Sequence, residues 1–232
     1  MPPNPSLANN PNLDDWIHLD EDGRVTIRTG KIDLGQHIST ALALIAADEL
    51  DVAPERIDIP KPATGTAPDE GMTAGSNSMQ TSGRAVRLAA ATARHYLLAL
   101  ATEALEADPA TLEVADGLIR ARETNRSITY WDLLGEAPFG IEVDLEARIK
   151  PPSEYKYVGR EVAPRGMGDI ADGKAEFVHD MHFPGMLHAR LVRPPHYHAR
   201  LVEIDAVAVN RLAEQGIRLV VDGSFIAVAA ED

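Results

Sequence analysis

The stretch GKIDLGQHISTALALIAADELDV (residues 30–52), with its downstream companion GTAPDEGMTAGSNSMQTSGRAVR (65–87), decides how the chain is organised. It predicts a tight loop at Gly35-Gln36, a helix from about Ser39 to Leu50, a short strand at Ile57 and Ile59, and a second loop feeding another helix. In that second loop Gly71, Gly75 and Gly83 permit turns that a β-carbon would block and expose backbone N–H groups. Ser76, Asn77, Ser78, Gln80, Thr81 and Ser82 add short polar side chains able to donate to anionic or carbonyl oxygens. The helix that follows directs a partial positive charge back at the loop, which suits phosphate. An ordinary surface loop with a good N-cap has the same composition, so the local pattern leaves both readings open.

Working outward, Trp16, Ile17 and Leu19 lead through a Glu21-Asp22-Gly23 turn to Val25 and Ile27, a hairpin that delivers the chain to Gly35. Gly83–Ala107 is the longest helical pattern, and the alanines on its apolar face imply close approach to a sheet or another helix. Leu112 and Val114, an Asp116-Gly117 turn, then Leu118 and Ile119 form a second hairpin, and a short helix spans Thr129–Leu134. Residues 1–15 hold four prolines and four asparagines, which predicts an extended or disordered arm. Prolines 138, 151, 152 and 164 interrupt residues 136–165, which read as a linker between domains, partly ordered by Tyr155, Tyr157 and Val158. Residues 166–232 carry five strand candidates (177–178, 186–192, 201–204, 217–221 and 225–228) and a helix over 205–215.

The chain has 232 residues and a formal net charge of −14, which argues against a nucleic-acid partner held by phosphate contacts. Gly30-Lys31 is followed by Ile32, so no P-loop ending is present and nucleotide hydrolysis is set aside. There is no cysteine, so the chain holds neither a disulfide framework nor the thiolates that usually ligate an iron-sulfur cluster. No apolar run is long enough to span a bilayer, and the N-terminus has no secretory or twin-arginine signal. The expectation is a cytoplasmic chain, or a periplasmic one if an exported partner carries it.

Residues 30–52 followed by 69–87 resemble the molybdenum-cofactor-binding segments of the xanthine dehydrogenase/aldehyde oxidase family, of the isoquinoline 1-oxidoreductase and nicotinate dehydrogenase type. A second block, FVHDMHFPGMLHARLVRPPHYHARLVEID (177–205), resembles the opening of that family's α/β hammerhead domain. The resemblance implies an α+β fold: a cofactor-binding domain segment over 16–135 with a mixed sheet and helices, and a hammerhead domain over 166–232. It implies a molybdenum-pterin cofactor, plain or in the cytosine dinucleotide form, contacted by Gly35, Gln36, His37, Thr73, Ala74, Gly75, Ser76, Asn77 and Ser78. The family commonly has Gly where His37 stands, so this side chain either crowds the cofactor or offers a new donor.

The implied activity is hydroxylation of an aldehyde or an N-heterocycle with water as oxygen source. Implied partners are the remaining, larger molybdenum-subunit chain, a subunit carrying 2Fe-2S clusters, and in some assemblies a cytochrome or flavin subunit. The family's general base is a glutamate in a Gly-x-Gly-Glu motif that these residues lack, so no catalytic residue is expected here and the chain reads as a split or truncated subunit, inactive alone. Two other readings stay open: a non-catalytic scaffold derived from the family, and a metal-binding module built on His179, His182, His188, His196 and His198. The pairs Asp48-Glu49 and Asp69-Glu70 read as solvated or capping carboxylates rather than acid-base groups.

Overall fold

The computed structural model describes residues 4–231. The chain divides into two compact units, one running up to Gly168 and the other from Asp169. In the first, β1 (Ile17–Leu19) and β2 (Val25–Ile27) form an antiparallel hairpin, and β3 (Ile57–Asp58) lies parallel to β2. A parallel neighbour requires a crossover, and helix α2 (Ile38–Leu50) supplies it. The first loop therefore lies between β2 and α2, at the C-terminal end of a strand, where the chain has to turn back.

Helix α3 (Arg84–Leu105) packs on α2. Ala43, Ala46 and Ala47 of α2 and Ala85, Ala89, Ala90 and Ala93 of α3 are all buried, so small side chains allow the two helices to approach closely. A meander follows: β4 (Leu112–Ala115), β5 (Leu118–Ala121) and β6 (Ser127–Thr129). Its first turn is the expected Asp-Gly pair, with φ of 50° at Asp116 and 75° at Gly117, the left-handed pair that a two-residue hairpin needs. Helix α4 (Tyr130–Leu134) closes this part, and its Tyr130 hydroxyl donates to the Leu50 carbonyl at 2.9 Å.

Two sequence expectations need correction. Of the arm expected over residues 1–15, residues 1–3 lie outside the described residues, and the rest is not extended, because Pro5–Asn9 form helix α1. Asn4 is its N-cap, Pro5 stands at the first helical position, and Leu7 and Leu13 are buried; the Asn-Pro pair that suggested disorder is a helix-start signal. Residues 136–165 are no linker either. Phe139, Val143 and Ala147 are buried in the core of the first unit, and the Asp48 carboxylate accepts the backbone N–H groups of Lys156, Tyr157 and Val158 at 2.7–3.1 Å. The segment is an irregular strap whose backbone groups are satisfied piecemeal, by the side chains of Asp14, Thr92, Asp48 and Glu49 and by the backbone of Pro11 and Leu13, instead of by a neighbouring strand ladder.

Helix α5 (Met167–Ala171) carries the chain onward. The second unit holds β7 (His188–Leu191), helix α6 (Ala206–Glu214), β8 (Arg218–Asp222) and β9 (Phe225–Ala230), with sheet order β7-β9-β8, antiparallel throughout. Three of the five expected strands form. Residues 201–204 join no ladder, and Val178–Asp180 make a turn of 3-10 helix instead. Apolar content without a pairing partner is not enough to make a strand.

Candidate functional site

The first loop is built around Asp33. Its carboxylate accepts the N–H groups of Gly35 and His37 and the Ser39 hydroxyl at 2.9–3.1 Å. Burial alone would push the Asp33 carboxyl up, but those hydrogen bonds outweigh it and hold the group below the ordinary carboxylate range. Gly35, with φ of 100° and open space where a side chain would stand, forms the tip. Gln36 folds back on its own loop, its oxygen accepting from Leu34 N at 2.5 Å and its amide nitrogen donating to Ile32 O at 2.9 Å. His37 takes φ of 56° at the start of α2, a left-handed conformation uncommon outside glycine. Its half-buried imidazole makes no hydrogen bond or ion pair among the described residues.

In the second loop Gly71 and Gly75 have φ of 64° and 65°, and Ser76 follows at 57°. Ala74, Gly75, Ser76 and Asn77 are exposed, whereas Thr73 and Ser78 are half-buried. The loop leads into a π-helical turn, Met79–Gly83, that opens α3. Such a turn widens the helix and releases a carbonyl from the usual ladder. The Thr81 carbonyl accepts the Asn4 side-chain amide at 2.8 Å.

The two loops run side by side. Ile32 N donates to the Thr73 hydroxyl at 3.0 Å, and the buried Lys31 ammonium donates to the carbonyls of Glu70 and Met72 at 2.7 and 3.2 Å. Of the expected site residues, Thr73 is thus brought onto the first loop. Gly35, Gln36, His37 and 74–78 make no bond from one loop to the other among the described residues.

Of the residues that join the loops, the sequence offered Ser82 as a donor and left the others without a role in the site. Thr29, Gly30, Lys31, Glu70 and Ser82 are the joiners, and Glu70, read from sequence as a solvated or capping carboxylate, accepts four donors from across the fold. For the others the one available signal was Gly30, three residues beyond the end of β2, a glycine where a close backbone approach has to be made.

Asp48 and Glu49 are likewise not solvated. Both are buried, and Glu49 accepts Lys150 N at 3.1 Å and faces Arg87 at 3.4 Å. A cavity of about 440 Å³, lined by Ile45, Met79, Arg84, Arg87, Leu145 and Ile149, opens beside the π-helical turn, and none of the expected contact residues lines it. In the second unit the His182 and His188 rings lie 6.3 Å apart. Among the described residues no three His, Cys, Asp or Glu side chains converge as a metal-ligand set, and no helix is long and apolar enough to cross a membrane.

Chemically, the paired loops offer exposed backbone N–H groups, hydroxyls and amides, with no side chain over Gly35 or Gly71. That is a donor-rich cradle for a flat, oxygen-bearing or anionic group. Residues 4–164 match the family described as the molybdopterin cofactor-binding domain. The chain is 35% identical to a nicotinate dehydrogenase subunit of Pseudomonas putida, over 78% of this chain and 15% of that protein. It is 37% identical to the gamma subunit of the 6-hydroxypseudooxynicotine dehydrogenase complex of Paenarthrobacter nicotinovorans, over 55% of this chain and 16% of that one. With the beta subunit of the isoquinoline 1-oxidoreductase of Brevundimonas diminuta it shares 25% identity, over 82% and 29%. The chain therefore spans between 15% and 29% of the length of these relatives.

Proposed function

The chain belongs to the molybdopterin cofactor-binding domain family of the xanthine dehydrogenase group, and from that premise we propose that its two joined loops hold the pterin of a molybdenum cofactor within a molybdenum hydroxylase. The observation that carries the proposal is the direct stitching of the loops, Ile32 N to the Thr73 hydroxyl and Lys31 to two carbonyls of the second loop. The residues fit such a group. Gly35 and Gly71 leave open space where a β-carbon would intrude, and the exposed stretch 74–77 presents donors in a row.

When bound, the cofactor supplies the redox chemistry for hydroxylating an aldehyde or an N-heterocycle with water as oxygen source. The chain's own part is binding and orientation. Thr73, Ala74, Gly75, Ser76, Asn77 and Ser78 offer N–H groups and hydroxyls to the pterin and its phosphate, and Gly75 keeps the approach to the reacting centre open. Gly35 and Gln36 face the other side of the group, and Gln36 reaches it by exchanging its bonds to Ile32 and Leu34. His37 adds a free imidazole as a further donor.

In this reading residues 166–232 are the hammerhead domain, the general base lies outside these residues, and the chain does not turn over substrate alone. Its partners are the remaining molybdenum-subunit portion and a 2Fe-2S subunit, with a cytochrome or flavin subunit in some assemblies. The cofactor is taken as the cytosine dinucleotide form.

The test is to tag the full chain in its native source, isolate it with whatever accompanies it, and measure molybdenum and oxidised-pterin fluorescence. Both should be present at near one per chain alongside an iron-sulfur subunit. A soluble complex lacking both would refute cofactor binding and leave a scaffold.

A further inference from the structure

One carboxylate lies where the second loop begins, where it ends, and where the first loop starts. Glu70 precedes Gly71, and its Oε2 accepts the Ser82 hydroxyl at 3.0 Å from the far end of the loop. The same oxygen accepts the Thr29 hydroxyl at 2.7 Å and Gly30 N at 2.8 Å, both at the exit of β2. Oε1 accepts the Ser6 hydroxyl of α1 at 2.8 Å. Ser6, Thr29 and Ser82 are each at most 2% exposed, so their hydroxyls have no water to replace a missing partner. Thr29 and Ser82 also touch each other at 2.9 Å; their two hydroxyl protons serve two of the triangle's three contacts, so with both donated to the carboxylate the Thr29–Ser82 contact carries no hydrogen bond of its own.

The consequence is a closed loop. The irregular stretch from Gly71 to Asn77 lies between two ends tied through a single side chain, which lowers the entropy of the open loop. Among the described residues the loop has few other ties: Thr73 to Ile32, the Met72 carbonyl to Lys31, and Asn4 to the Thr81 carbonyl.

We infer that Glu70 is a positioning residue: it ties the glycine-rich loop shut at Ser82, docks it on Thr29-Gly30, and so sets the spacing of the two loops without touching a ligand. Its consequence for an oxygen-rich or anionic pterin ligand rests on the proposed function; the closure itself does not. Glu70→Ala removes all four acceptor bonds. Glu70→Gln keeps one oxygen for Thr29, Ser82 and Gly30 and turns its amide toward the Ser6 hydroxyl, which can accept. Ser82→Ala cuts only the link between the loop's ends and removes a single oxygen.

The experiment uses the full chain. Amide hydrogen exchange is followed at Ile32 and Thr81, which Glu70 does not contact, and in the interior of α2. Pterin retention through desalting is followed on chain made in a host that synthesises the cofactor. In Glu70→Ala, Ile32 and Thr81 should exchange at least about tenfold faster while the α2 interior is unchanged, and retained pterin should fall about fivefold or more. Glu70→Gln should restore both to within about twofold, and Ser82→Ala should speed Thr81 with a smaller effect at Ile32. Unchanged exchange in Glu70→Ala, or equal loss across α2, overturns the inference. If that variant does not fold, unchanged Thr81 exchange in Ser82→Ala overturns it equally. Wild-type chain without pterin would count against the proposed function alone, since the exchange measurements still decide Glu70's role. Wild-type chain that holds pterin, with Glu70→Ala holding it as firmly and exchanging as slowly, would overturn the inference and leave the function standing.

Discussion

A β-carbon placed on Gly30 would lie 2.3 Å from the Pro68 carbonyl oxygen and 3.2 Å from the Glu70 nitrogen, so the end of β2 and the approach to the second loop are in backbone contact there. Neither neighbour is a flexible side-chain tip that could move aside. Gly30→Ala should therefore separate the two segments and lower stability by about 3 kcal/mol, read as a fall in urea midpoint at constant slope; a loss under about 1 kcal/mol would mean that the segments part easily. His37 presents the opposite case. A residue with a β-carbon in the left-handed region is strained by roughly 1–2 kcal/mol, and His37 sits there at φ of 56° and ψ of 38°. Against that, glycine loses roughly 0.5–1 kcal/mol more in backbone freedom. His37→Gly should then raise stability by up to about 1 kcal/mol in the same urea titration. A clear drop would show that the imidazole makes a stabilising contact, which the absence of any partner among the described residues argues against.

Among the elements, α2 does more than form a core face, because its acidic end fastens the strap. Asp51, with a side chain 7% exposed, faces Arg94 at 3.0 Å, Lys150 at 2.6 Å and Lys156 at 2.8 Å. Asp51→Asn should lower stability at pH 7 by about 3 kcal/mol, since it leaves those cations short of their counter-charge. Burial alone would raise the Asp51 carboxyl, but hydrogen bonds from Lys150 and Lys156 and the charges of Lys150 and Arg94 bring it below the ordinary value. A carboxyl lowered by folding contributes stability above its unfolded value of about 3.9 and loses it as the pH falls through the folded one. The wild-type chain should thus lose stability below about pH 4 more steeply than Asp51→Asn. Glu49 has the reverse sign: burial raises its carboxyl despite Lys150 and Arg87, so its contribution is present at acid pH and lost as the pH rises through the folded value. Denaturation midpoints between pH 2 and 7 should show Asp51→Asn flattening the acid limb and Glu49→Gln steepening it; parallel curves would sink the assignment.

Apart from Tyr157 and Val158, which pack on the core, little of this strap was legible in the sequence, because Asp48 and the N–H groups it accepts lie 108–110 residues apart and irregular backbone has no period to read. Helices α2 and α3 and the Asp116-Gly117 hairpin were legible, since their signals are local. The same division runs through the candidate site. The glycines of both loops can be seen in the sequence, whereas Glu70 looks like any surface carboxylate until Ser6, Thr29 and Ser82 are folded around it.

For the whole molecule, the distribution of buried surface separates the two units. The hydrophobic core runs from Leu7 to Ala147, entirely within the first unit. Beyond Gly168 only Ala227 and Ala229 are buried among the described residues, while Val178, Phe183 and Val202 are 83%, 65% and 94% exposed. A unit of roughly 60 residues is marginal even with a well-formed core, and two alanines bury too little apolar surface to offset chain entropy. A chain ending at Gly168 should therefore melt within about 3 °C of the full chain, by circular dichroism and with the same cooperativity. A peptide beginning at Asp169 should show no cooperative transition at all. The exposed apolar side chains of the second unit should bind a hydrophobic dye in the full chain, and the signal should fall in the shortened one to what Leu34, Met72 and Leu145 of the first unit sustain. If the isolated second unit instead melts cooperatively and its midpoint rises with concentration, self-association is covering the apolar side chains. A midpoint independent of concentration would mean that the three-stranded sheet and α6 are sufficient alone, with so small a buried core able to offset the chain entropy after all.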